Sequence, residues 1–303
     1  MNYLVSDEQL AATADAIREK TGGTDLITWD ESKGFADVVS GISAGGGGDI
    51  DALIDGNITE ISSNTVTSIR EQCFYSLKNL VSVNFPLATE INKSAFSGCS
   101  GLMSVNIPNV TIFGQGAFND CVNLTMFNSL KGNKIASYLF SNCTNLAEVN
   151  FPEATIVDTS AFNLCTNLTT VNVPKATKIN NSAFNMCKGL TTMYLPNVTE
   201  IWYQAFNECT NLTTVILPKV VKFDSTCFQG CGKLTTLVLG SETLCELTSG
   251  TFFNGTPFAS GGTGGTVYCP QALITEYQNA TNWSTLYAAG TCNFVAIEGS
   301  EYE

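Results

Sequence analysis

The chain has no histidine in its 303 residues. That removes histidine triads, imidazole acid/base chemistry and histidine metal ligands together. Basic residues are also scarce, 14 against 27 acidic ones for a net charge of −13. This balance repels phosphate backbones and anionic lipid, so neither nucleic acid nor a membrane surface is an expected partner. No run approaches the ~18 apolar residues of a membrane span, and no membrane insertion is expected. Met1 to Asp7 lacks the basic stretch and apolar core of a secretory signal, so the expectation is a chain made soluble in a reducing compartment. There is no CxxC pair and no carboxylate pair at a recognisable separation, so zinc, cofactor and catalysis are not expected. Only 14% of residues are charged, leaving Asn, Thr, Ser and Gly to cover the surface.

What the chain has is a period. Phe74, Phe96, Phe118, Phe140, Phe162, Phe184, Phe206 and Phe228 are spaced 22 residues apart, and a degenerate ninth member is assigned to Phe252. So regular a repeat predicts a solenoid of stacked coils. Seven of the twelve cysteines, Cys99 to Cys231, follow the column Phe by three residues. Stacked coils hold equivalent side chains about 4.8 Å apart with parallel Cα–Cβ vectors, whereas a disulfide needs Cβ atoms about 3.8 Å apart. The ladder cysteines are therefore read as small buried thiols. Cys245, Cys269 and Cys292 lie outside the array, and pairing and free thiols are both open for them.

Each coil reads Ala-Phe-x-x-Cys-x-x-Leu-x-x-Val-x-Val-Pro, then a small apolar residue and Ile. One helix cannot carry Phe, Cys, Leu and Val on one side, because nine residues make about two and a half turns. The Thr-rich and β-branched Leu-x-x-Val-x-Val segment, closed by Pro86, Pro108, Pro152, Pro174, Pro196 or Pro218, predicts a strand paired in parallel with its neighbours. Residues 1–44 read as a helical leader: Ser6 and Gln9 form a capping box, and Leu10, Ala14 and Ile17 share a face. Phe35, Val38, Val39 and Ile42 give a second amphipathic helix. Residues 45–49, with Gly45 to Gly48, form a linker. The solenoid spans 50–256, starting with a worn coil in which Ile58, Ile61 and Ile69 take the phases of Leu80, Val83 and Ile91. Residues 257–303 form a small cap, with a strand at Thr266 to Pro270 and a helix from Gln271 to Leu286 broken at Asn279 to Asn282.

Thr144-Asn145-Leu146-Ala147-Glu148-Val149-Asn150-Phe151-Pro152 and Ser182-Ala183-Phe184-Asn185-Met186-Cys187 recur in variants over roughly residues 58–256. They resemble leucine-rich repeats, most closely the BspA-like subclass of bacterial surface proteins and phage or prophage proteins. The Cys precedes the strand, where the commonest leucine-rich pattern has Asn or Cys after it, and this argues against a long helical side. The implied fold is a β-rich repeat solenoid of parallel strands, one per coil, with a short helical leader and a C-terminal cap. Tyr268-Cys269-Pro270, Tyr277 and Asn282-Trp283-Ser284 resemble the element that closes many BspA-like arrays. Ala14 to Gly22 resembles a leader on phage and prophage tail-associated proteins of gut Firmicutes. The resemblance implies a non-catalytic recognition protein of a phage tail or baseplate, made in the bacterial cytoplasm. It would bind a host-surface glycan or protein and join other virion proteins through the N-terminal helices. A bacterial cell-surface adhesin is the alternative, a glycan-processing enzyme the third reading, and a homo-oligomer is left open.

Alternation along the strand sends one column outward: Asn84, Asn106, Asn128, Asn150, Asn172, Tyr194, Ile216 and Val238. The five Asn can form a hydrogen-bonded ladder, but Tyr194, Ile216 and Val238 place apolar groups where solvent is expected, beside Thr192, Thr214 and Thr236. This strip is the first candidate contact surface, with burial under the cap as the alternative. Trp202 and Tyr203, where other coils carry Asn180-Asn181 or Asp224-Ser225, are the second candidate.

Overall fold

In the computed structural model, residues 59–303 are described except 65, 250–252 and 260. The expected leader helices, the glycine linker, Ile58 and Phe252 lie outside the described residues. Each coil sends a front strand across one face, from Glu60–Ser62 in the first to Thr236–Leu239 in the last, and equivalent strands pair in parallel one repeat apart. Val149 and Val171 are register partners, as are Asn150 and Asn172. The parallel solenoid expected from the pattern is thus present. Each regular coil also carries a second, two-residue strand, such as Lys178–Ile179 or Glu200–Ile201, which the pattern did not reveal. Two residues are too few to show alternation; Ile179 and Ile201 point inward, and the Thr177 and Thr199 side chains bond the backbone of the coil before.

The third side is a turn built around the column Phe. Residues two before and two after it hold positive φ, from Gln72 and Ser76 to Thr226 and Gly230, at 53–77°. A left-handed non-glycine residue costs about 1–3 kcal/mol, yet Leu164, Met186 and Glu208 adopt it. The geometry persists because it aims backbone N–H groups at the next coil. Phe162 N–H donates to Ala183 O at 2.8 Å, and the same bond recurs from Phe74 to Phe206 at 2.7–3.0 Å. Beneath it the Phe rings stack at 5.1–5.9 Å between centroids, tilted by 6–20°. Each ladder thiol donates to the carbonyl of the Phe one coil back: Cys165 Sγ reaches Phe140 O at 3.1 Å, and all seven fall within 3.0–3.2 Å. All twelve cysteines are free, including Cys245, Cys269 and Cys292. The period slips at the last coil, where Phe253 stacks on Phe228 at 6.4 Å and 5°, so it takes the ninth place assigned to Phe252.

The front strands do not form one continuous sheet. They split between Ser104–Asn106 and Met126–Asn128 and between Thr170–Asn172 and Thr192–Tyr194, while the turn ladder runs through both places. Both splits precede a coil whose inward Val is replaced, by Phe127 or Met193. At the first, Phe127 packs within 6 Å of Phe113, Phe118, Phe140 and Phe151. Leu237, shorter than Met or Phe, still pairs with Val215.

At the far end, Gly265–Cys269 and then Cys292–Ala296 extend the last front sheet in register. Helices α1 (Ile274–Asn279) and α2 (Trp283–Ala288) follow the first of these strands. They deliver Tyr277, Asn282 and Trp283 to the open edge of the last short strand, Glu246–Leu247. Cys245 N–H donates to the Tyr277 hydroxyl at 3.0 Å, Trp283 Nε1 donates to Cys245 O at 2.7 Å, and Asn282 Nδ2 donates to Leu247 O at 2.8 Å. Three side chains thereby replace the backbone partners a further coil would supply.

Burial pushes Cys99 up from an ordinary value of 9.0 to about 12, and Cys121, Cys143 and Cys187 well above the ordinary value. A thiol kept neutral in this way stabilises the fold fully below its unfolded value, and that contribution is lost as pH rises through the folded one. Urea midpoints should therefore be flat from about pH 6 to 8 and fall steeply above about pH 9. In the native state at neutral pH an exposed-thiol reagent should react with Cys73 alone, the one half-buried cysteine. Rapid labelling of seven or more thiols without unfolding would contradict the ladder.

Candidate functional site

The front sheet gathers six of the eight candidate residues. Thr192, Thr214 and Thr236 are register partners in one column, and Tyr194, Ile216 and Val238 in the next but one. Tyr194 is 59% exposed and Ile216 half-buried. Val238 is only 3% exposed, so its expected place on an open strip is corrected. The cap strand adds Tyr268 beside it in the same column, and the Tyr302 ring packs edge-on against Tyr268 at 4.8 Å. The strip therefore runs from open at Tyr194 to covered at Val238.

Toward the other end of the column, Asn172 Nδ2 donates to Asn150 Oδ1 at 2.7 Å and Asn150 Nδ2 to Asn128 Oδ1 at 2.9 Å. Asn106 Nδ2 reaches Asn84 Oδ1 at 2.7 Å. The ladder forms, with a gap between Asn106 and Asn128 where the sheet splits. Trp202 and Tyr203 lie elsewhere. They follow the second strand Glu200–Ile201, and their backbones belong to the inter-coil ladder through Trp202 N–H to Ile179 O and Ser182 N–H to Tyr203 O, both 2.9 Å. Their rings are 39% and 43% exposed. Trp202 stands where Asn180 bonds Asp158, so it breaks a polar ladder and leaves an aromatic surface. The two candidate groups do not share a sheet.

Charge plays little part in either group. Asp158 is partly buried, but Lys134 at 2.6 Å, the Asn180 amide and the Thr159 N–H outweigh its desolvation and hold the carboxyl at about 2. Among the described residues no group of three or more His, Cys, Asp or Glu is placed to hold a metal ion, and no helix is long and apolar enough to cross a membrane. Of the residues around the strip, the sequence reading gave Asn172 a ladder role and Tyr268 a closing role, and did not single out Met193 and Tyr302. Met193 carried a usable signal as a break in the β-branched inward column, whereas Tyr302 joins the strip only because the tail folds back.

A family model for the BspA type leucine rich repeat region matches residues 54–167 and 155–259. Curated proteins give no match to the chain. Among solved structures, a leucine-rich repeat protein from Eubacterium ventriosum is 30% identical over 49% of this chain, at a TM-score of 0.46. The chain spans 42% of that protein's length. A leucine-rich repeat protein from Bacteroides ovatus is 18% identical, covering 80% of this chain and 84% of its own, at a TM-score of 0.37. The pneumococcal vaccine antigen PcpA is 11% identical, with 77% of each chain covered and a TM-score of 0.44.

The burial gradient along the strip sets the expected stability effects. Tyr194→Asn should change unfolding free energy by less than about 0.5 kcal/mol. Val238→Asn, which places an amide under the cap, should cost about 1–3 kcal/mol. Equal effects in urea titrations would mean that the two side chains are covered alike.

Proposed function

The chain belongs to the BspA-type leucine-rich repeat family, and from that premise we propose that it is a recognition module binding a host-surface glycan or protein through the front face of its later coils. In this reading the solenoid serves as an interaction scaffold. The observation that carries the reading is Tyr194, a largely exposed aromatic in register with Ile216 and bordered by Thr hydroxyls, where the preceding coils place Asn. An exposed aromatic anchor with a hydroxyl rim is the usual make-up of a contact hot spot. Trp202 and Tyr203 offer a second, separate anchor on the same coil.

The module's setting, in this proposal, is the tail or baseplate of a phage or prophage, with assembly in the bacterial cytoplasm and the leader joining other virion proteins. The leader resemblance at Ala14 to Gly22 supports it. An adhesin on the bacterial surface uses the same face, so the two settings differ in where the protein is found. Mass spectrometry of purified virions should detect the chain; its absence there, with presence on intact cells, would replace the tail by the adhesin. Replacing Tyr194 and Ile216 together by Asn should abolish binding to host cells while circular dichroism stays native. Full binding by that variant would move the contact surface off the front sheet.

A further inference from the structure

The inward column of the front strands runs from Ile61 through Val83, Val105, Phe127, Val149, Val171, Met193 and Val215 to Leu237. All are buried except Val105 and Val171, which are half-buried and packed against the core. These two sit at the two splits of the front sheet. At the second split the coils stay closed elsewhere: Lys178–Ile179 pairs with Glu200–Ile201, and the Phe162 and Phe184 rings stack at 5.2 Å. Backbone pairing between the two coils is lost only at the front, between Val171 and Met193, which leaves a gap in the front sheet.

Its walls carry unused backbone groups. In neighbouring coils Thr169 and Thr170 N–H both bond Ala147 O, at 2.9 and 3.0 Å, and Thr213 N–H bonds Thr191 O at 2.8 Å. Across the gap, among the described residues, Thr191 and Thr192 N–H do not reach Thr169 O, and Val173 N–H does not reach Tyr194 O. The Thr hydroxyl bonds show the same gap, with Thr169 to Ala147 O and Thr213 to Thr191 O present and the one between them missing. Asn172 Oδ1 is the end of its ladder and, among the described residues, receives no side-chain donor, and the next outward residue is the 59% exposed Tyr194. The walls, 169–173 and 191–195, contain no charged residue.

We propose that this gap in the front sheet binds a neutral saccharide, its hydroxyls bonding the Thr191 and Thr192 N–H groups and the Thr169 and Asn172 oxygens, its ring face lying on Tyr194. The proposal rests on the recognition reading and names the ligand class for one end of that surface. A sugar hydroxyl both donates and accepts, which matches walls that offer both kinds of group within one coil spacing. A charged ligand finds no counter-charge there. A peptide adding as a strand needs a longer edge than three residues to gain affinity from main-chain bonds. The first split lacks the aromatic surface, being flanked by exposed Met103 and Met126.

The test is an array of neutral hexose and N-acetylhexosamine oligosaccharides probed with the whole chain. The wild type should bind a subset, Tyr194→Phe should keep that binding, and Tyr194→Ala should weaken it at least about tenfold. Met193→Val should restore the strand pairing, seen as slowed hydrogen exchange at the Thr191 and Thr192 amides, and weaken binding at least about tenfold as well. Slowed exchange with undiminished binding would place the sugar elsewhere and overturn the proposal. Binding to host cells that survives periodate but not protease, with a silent array, would overturn the saccharide and leave recognition of a protein standing. No binding to array or cells would remove both readings.

Discussion

Everything else in this molecule depends on the turn ladder at the column Phe. Four groups meet there in each coil from Phe96 to Phe228: a stacked ring, a thiol donating to the carbonyl one coil back, and two left-handed residues that turn N–H groups toward the next coil. The space under the Phe carbonyl admits a side chain that is small, buried and able to donate. Serine would meet the bond but pay more to leave water, and alanine would leave the carbonyl without that donor. Cysteine satisfies all three demands, which explains a regular column of thiols without disulfide or metal chemistry.

A continuous ladder on one side frees the other side to vary. The front sheet can open twice, because Phe127 and Met193 wedge the strands apart while rings and turns keep the coils in register behind them. In a sheet standing alone a lost ladder step would expose edges and invite association. Here the loss stays local, and the departures accumulate on the face that solvent reaches: the end of the Asn ladder, the Tyr194 ring and the half-buried Val171.

The far end is governed by the same accounting of backbone groups. A solenoid has to stop, and the last short strand would otherwise present open donors and acceptors. Tyr277, Asn282 and Trp283 meet those groups, and the strand that brings them also lies alongside Val238. Closing the array and covering part of the apolar strip are therefore one event. This is why the strip, uniform as a column of residues, is open at Tyr194 and shut at Val238.

The repeat by itself determined the solenoid, the inward side of each front strand, the free buried thiols and the polar ladder, because each depends on a residue type recurring every 22 positions and stacking on its own copy. Phe162, Cys165, Leu168 and Val173 were legible as core for that reason. The short second strand was not, since two residues carry no period of their own. Nor were the splits: Met193 visibly breaks a β-branched column, but so does Leu237, which still pairs with Val215, so the break alone does not say that the sheet opens. Only the tertiary structure decided what covers what. Exposure depends on the neighbouring coil and the returning tail, and a column that is regular in sequence can therefore be walled at one end by Tyr268 and Tyr302 and opened at the other by Met193.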